Sequence, residues 1–143
     1  MHSLRERLAR HEGFTLIELL VVLIIIGILL AIAIPSYLGF QKKAQQTAAA
    51  SDVRQAIPDA EAYYSDHNTY ASLSIANLQT YDSGLVAYSA GPPSVPGIVT
   101  AKGGATHYCI SGQDSGNFAH VVGPGGQVVT NEASDFCATW TAS

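Results

Sequence analysis

Apolar and polar positions divide this chain into three regimes. Residues 14–34 form an apolar stretch, and from Leu19 to Ile34 it carries no charge at all. As a helix it would reach roughly 31 Å, about the thickness of a bilayer's hydrocarbon core. Beyond Pro35 the pattern changes to a stripe: Phe40, Ala44, Thr47, Ala50, Val53, Ile57, Ala60 and Tyr64 recur at spacings of three or four, which is one face of a helix. The run Thr47-Ala48-Ala49-Ala50 adds strong helix formers and permits close approach. These patterns predict one long helix over 14–64, with Pro35 and Pro58 as kinks because proline removes a hydrogen bond and crowds the preceding turn.

After Asp66 the helical period stops, and His67-Asn68-Thr69-Tyr70 reads as a helix exit into a connecting loop. Ten of the 13 glycines then fall between Gly84 and Gly126. Short β-prone runs lie between these breaks, at 85–89, 97–101, 106–111, 118–122, 127–130 and a tail at 136–141. The stretch from Gly91 to Gly97 holds Pro92, Pro93 and Pro96 and is a loop, since proline cannot donate to a ladder. Gly123-Pro124-Gly125-Gly126 reads as a turn between two strands. The expected class is α+β: a long kinked helix lying on an antiparallel sheet of about three to five strands.

Glu18 is the exception in the first regime. A carboxylate in an apolar span costs roughly 2.5–3.5 kcal/mol at mid-membrane and less near the interface, so it usually has a function and a partner. Protonation, or snorkelling to the headgroups, is the competing reading. The residues before it carry Arg5, Arg7 and Arg10 and end in Gly13, a small residue ahead of the bulky Phe14. A cut at that junction would create an α-amino group on Phe14, four residues or about 6 Å of helix from Glu18. Neighbouring rods offset by that distance could then pair amine with carboxylate. Two other fates are open: cleavage by an ordinary signal peptidase at Ala31-Ile32-Ala33, giving a secreted soluble domain, or no cleavage, giving an anchored binding domain.

The stretch Gly13-Phe14-Thr15-Leu16-Ile17-Glu18 resembles the processing site of type IV prepilins and the related pseudopilins. The resemblance continues through Gly27, Pro35 and Tyr37, and more loosely to Tyr63, Tyr64 and Tyr70. It implies a leader, 1–13, removed after Gly13 by a prepilin peptidase that also methylates the Phe14 amine. It implies a transmembrane and filament-core helix over 14–35, an amphipathic continuation over 36–66, and an α+β head over 67–143. It assigns Glu18 to assembly and makes Gly27 and Pro35 the ends of a segment that loses helical structure in the filament. The partners implied are other copies of the chain, the peptidase, the cytoplasmic membrane in an N-in orientation, and an assembly machine driven by a motor ATPase. The function implied is a pilus used in adhesion, motility or DNA uptake. A pseudopilin of a type II secretion system is the runner-up, and its major members carry a calcium site for which no dense acidic loop is present here.

Composition narrows the remaining choices. Without the leader, 4 cations and 9 acids remain, and Lys42, Lys43 and Arg54 all lie on the helix. That is no phosphate-binding stripe, so direct nucleic-acid binding is not expected. Charged residues make up 13% of the chain against about 25% in ordinary globular domains, which fits much surface buried in lipid or partners. Cys109 and Cys137 admit one intramolecular pairing, a disulfide in an exported domain; two separate buried thiols are the alternative. His107, His120, Asp114 and Ser111 supply the residue types of a hydrolase triad, but no nucleophile-elbow sequence surrounds Ser111, and no catalytic residue is assigned. His67 with Asp66, or Asp114 with Asp135, has cation-binding chemistry but no zinc or EF-hand spacing, so no metal or cofactor is expected. Phe14, Tyr37, Phe40, Tyr63, Tyr64 and Tyr70 are read as packing residues; electron conduction is the competing idea. Gly27 has no Gly-x-x-x-Gly partner.

Overall fold

The computed structural model describes residues 14–91 and 95–141. The expected leader, including Gly13, and Pro92, Pro93 and Ser94 of the proline loop lie outside the described residues. The chain divides into two compact units, Met1–Gly39 and Phe40–Ser143. Helix α1, Leu16–His67, contributes to both and is unbroken through Pro35 and Pro58.

In the first unit α1 is long and apolar enough to cross a membrane, with a mean hydropathy of 3.3 over its most apolar window. Its large apolar side chains from Leu16 to Ile34 are all exposed, by 45% to 82%. A rod that is greasy on every side has no face to turn to water.

In the second unit α1 packs on an antiparallel sheet of four strands in the order β1 (Gly97–Gly103), β2 (Tyr108–Asp114), β3 (Asn117–Gly123), β4 (Val129–Glu132). The buried stripe of the helix is Ala49, Ala50, Val53, Ala56, Ala60 and Tyr63. It is rotated from the expected face: Phe40, Ala44 and Thr47 are exposed, and Ile57 and Tyr64 are only half-buried. The reason is side-chain size. Alanines let the sheet come close, and a Cβ added to Gly112 of β2 would sit 3.0 Å from the Ala49 carbonyl oxygen and 3.1 Å from Val53. The strands supply Ile98, Ala101, Tyr108, Ile110, Ala119 and Val121 to the same core.

Four of the expected strands correspond to β1–β4, and the turn at Gly123-Pro124-Gly125-Gly126 joins β3 to β4. The run 85–89 makes only isolated bridges, Ala87 with Ile98 and Ser89 with Val95, as it passes alongside β1. The tail is not a strand. Residues Phe136–Thr139 form a short helix, α3, whose start is capped by the Asp135 carboxylate accepting from the Cys137 amide. A further helix, α2, Ile75–Tyr81, occupies a stretch to which the sequence reading assigned no element. Its cap was legible: Ser74 accepts from the Asn77 amide at 3.3 Å, and Leu78 is fully buried.

Candidate functional site

Glu18 stands in the first turn of α1 with its carboxylate folded back on the helix start. Its Oε2 accepts from the Thr15 amide at 3.0 Å and from the Thr15 hydroxyl at 2.8 Å, while the Thr15 Oγ1 accepts from the Glu18 amide at 3.3 Å. This reciprocal pattern is a capping box, which satisfies donors that a helix start leaves open. Thr-x-x-Glu was present in the sequence and its capping role went unread. Phe14, beside Thr15, is 75% exposed. In the full-length chain its nitrogen is an amide, and only cleavage at Gly13 would turn it into a cation. Gly27 faces open space. Pro35 lies in regular helix, and near it the Ser36 hydroxyl donates to the Ile32 carbonyl at 3.4 Å.

The other sequence candidates fall into separate places. Cys109 and Cys137 form a disulfide, both fully buried. It belongs to a clamp on the sheet face turned away from α1. Register brings Thr100, Ser111 and His120 side by side on that face. Asp135 accepts from the Thr100 and Ser111 hydroxyls, each at 2.5 Å. Lys102 donates to the Ala138 carbonyl at 2.7 Å, and the His120 ring stacks on Phe136 at 4.3 Å. Ser111 thus donates its hydroxyl hydrogen bond to a carboxylate and not to a histidine, and it is fully buried, so the triad residue types form no nucleophile–base relay. His107 is elsewhere, paired with Thr106.

The proposed cation pairs do not form either. The His67 ring lies on Tyr63 and its Nδ1 is 3.0 Å from the Tyr63 carbonyl, while Asp66 accepts from the Tyr81 hydroxyl at 2.8 Å. Among the described residues no group of three or more His, Cys, Asp or Glu could hold a metal ion. The aromatic set splits. Phe14, Tyr37 and Phe40 are exposed, whereas Tyr64, Tyr70 and Tyr108 make a contiguous row with centroids 4.6 and 4.8 Å apart. The Tyr70 and Tyr108 hydroxyls both donate to Glu61, at 2.8 and 3.2 Å. Burial first, and Glu61 second, push both phenols above their ordinary range.

Sequence reading also missed two acids on α1 whose charges are disfavoured by burial and by an acid from elsewhere in the fold. Asp59 is 9% exposed with an unpartnered Oδ2, and burial first, then Asp82, push its carboxyl up from 3.8. Asp52 is pushed up in the same way by burial and then by Asp114. A raised carboxyl pKa means the fold holds its proton more tightly than the unfolded chain does. Its stabilising effect is present at low pH and is lost as pH rises from about 3.8 through the raised value. Asp59→Asn should therefore raise the thermal midpoint of the detergent-solubilised subunit at pH 7, because the amide fills the site without a charge to bury. The gain should shrink as pH falls toward 4; a gain of equal size at every pH would contradict this account.

A family model, the prokaryotic N-terminal methylation motif, matches residues 8–34. The chain is 36% identical over 108 residues to the type IV wide pilus major component PilA4 of Thermus thermophilus, covering 73% of this chain and 75% of that one. It is 40% identical over 62 residues to the type IV major pilin protein PilA of Myxococcus xanthus, and 34% identical over 87 residues to the type II secretion system core protein G of Aeromonas hydrophila. It spans 28% and 55% of the lengths of those two. No solved structure matches. The exposed apolar rod that begins at a single capped glutamate, the α+β head built on the same helix, and the extent of the Thermus match together place this chain in the type IV pilin family, which includes the pseudopilins.

Proposed function

We infer that this chain is a structural subunit of a type IV pilus, made as a precursor and polymerised through α1 into a surface filament. The observation that carries the reading is the first unit of α1, whose large apolar side chains are all exposed and which bears the single carboxylate of Glu18. Lipid covers such a rod before assembly and neighbouring rods cover it afterwards, and burial of apolar surface supplies most of the stabilisation. In this reading residues 1–13 are a leader cut after Gly13 by a prepilin peptidase, which methylates Phe14. Residues 14–35 span the cytoplasmic membrane with the N-terminus inside and later form the filament core. Residues 36–66 continue the helix, and 67–143 form the exposed head. The Phe14 ammonium of one subunit pairs with Glu18 of the next, setting axial register and excluding uncut chains. Gly27 and Pro35 bound the segment that extends on assembly. The chain has a structural, not a catalytic, role, and the work of assembly comes from a motor ATPase in the membrane machinery. Adhesion, motility and DNA uptake are the roles such a filament serves.

The relative in Aeromonas supports a second reading, a pseudopilin that forms a short periplasmic piston. Long surface fibres containing this chain would exclude that reading.

Intact mass and N-terminal sequencing of the cellular protein test the proposal. The expected result is a chain starting at Phe14 with one added methyl group. A chain starting at Ile34 would show a secreted domain, and one starting at Met1 an uncut anchor; either overturns it.

A further inference from the structure

The second unit, Phe40–Ser143, carries charges on opposite flanks of α1. Asp52, Asp59 and Asp66 recur every seven residues on α1, which returns each to within about 20° of the last around the helix. Asp82, after α2, adds its charge to the field at Asp59, and Asp114, at the end of β2, adds its own at Asp52. The segment after α2 lies beside β1, through the Ala87–Ile98 bridge. The Asp59 end of this flank therefore lies toward the β1 edge, while Asp114 stands at the β2–β3 hairpin. Its members repel one another, and the buried Asp59 Oδ2 has no partner.

Lys43 and Arg54 lie on the other side of α1. They are 11 residues apart, three turns and about 20°, with Thr47 between them on the same flank. With Gln46, Ala50 and Thr130 of β4 they line an open cleft of about 240 Å³. The acids near this flank are Glu132, at the end of β4, and Glu61, whose two oxygens accept the Tyr70 and Tyr108 hydroxyls. Strands β1 and β4 are the opposite edges of the sheet. One flank thus carries an acidic row and the other a basic groove.

We propose that the groove between α1 and β4 receives the flank of a second copy of this chain that carries Asp52 and Asp66, the two acids of the row with exposed surface. The occupant follows from charge complementarity: the cations of the groove meet the acids that every copy presents on its other side. Contacts between unlike patches are heterologous, so each subunit keeps one free donor edge and one free acceptor edge, and the array stays open instead of closing as a two-fold dimer. A cation arriving from a neighbour would also offset the repulsion within the row. Matching potentials of this kind fix register and reject wrong partners. The proposal rests on the filament reading and adds a contact between heads to the one at Glu18.

The test is charge reversal in the full chain, with filaments counted by electron microscopy. Lys43→Glu with Arg54→Glu should lower filament numbers by about tenfold or more, as should Asp52→Lys with Asp66→Lys, because like charges are brought together. All four changes in one chain should restore filaments to within about twofold of the parent, since opposite signs face each other again. That recovery also shows that the reversed chains fold. Normal filament numbers in either reversed pair would overturn the proposal, as would failure of the fourfold variant to recover while its mature subunit keeps the parent's thermal midpoint, which would give the groove to another occupant. Absence of filaments in the parent strain would sink the filament reading itself, a separate outcome.

Discussion

Replacing Glu18 with alanine is expected to abolish nearly all filaments while leaving membrane insertion and cleavage intact. In the proposed filament the Glu18 carboxylate faces the Phe14 ammonium of a neighbour inside an apolar core. Removing one member of a desolvated pair costs roughly 3–5 kcal/mol, which is about a hundred- to several thousandfold in each subunit contact. The capping box complicates the alanine result, because Glu18 also holds the Thr15 amide and hydroxyl, and loss of a cap costs ~0.5–2 kcal/mol. Glu18→Gln separates the two roles. Glutamine keeps the reciprocal cap but carries no charge. Filament counts that collapse in both variants support pairing; a glutamine variant with normal filaments and an alanine variant without them would leave Glu18 as a cap only. The cap has a further consequence. In the free subunit the carboxylate is already engaged by its own helix, so the intermolecular pair must displace or share the Thr15 contacts.

The second large effect is expected at the clamp. Breaking the disulfide by Cys137→Ser should destabilise the head by roughly 3–4 kcal/mol, the chain-entropy value for a loop of this size; its ends are 28 residues apart. The loop holds β3 and β4, so freeing it loosens the whole edge of the sheet. Covalent closure is only part of the clamp. Asp135 also accepts from Thr100, Ser111 and the Cys137 amide. Asp135→Ala leaves the buried Ser111 hydroxyl without an acceptor, at ~1–3 kcal/mol. Urea unfolding of the mature subunit, with and without reductant, measures both. Reduction should lower the parent's midpoint to that of Cys137→Ser and leave the variant unmoved. A parent indifferent to reductant would show that the polar contacts alone hold the tail.

Local pattern carries a long way in this chain. The apolar run 14–34 and the stripe beyond it specify a single helix, because the 3.6-residue period is written into which side chains avoid water. The four strands and the β3–β4 turn follow from glycine and proline punctuation, since those residues restrict the backbone wherever they stand. Glu18 stands out for an equally local reason, a charge in a segment with no other.

What local pattern could not show depends on neighbours distant in sequence. The buried face of α1 was read one step off, because whether Ala49 or Thr47 points inward is set by how closely Gly112 lets the sheet approach. The tail at 136–141 was read as a β-prone run. It is a helix because Asp135 caps it, while Ser111 and Thr100 hold that carboxylate in place. The two charged flanks are invisible in a list of acids and bases. Helical geometry sorts Asp52, Asp59 and Asp66 from Lys43 and Arg54, but only the packing of helix on sheet brings Thr130 of β4 beside the second group. Periodicity is a property of the segment, whereas burial, capping partners and the sides of a sheet are properties of the packed whole.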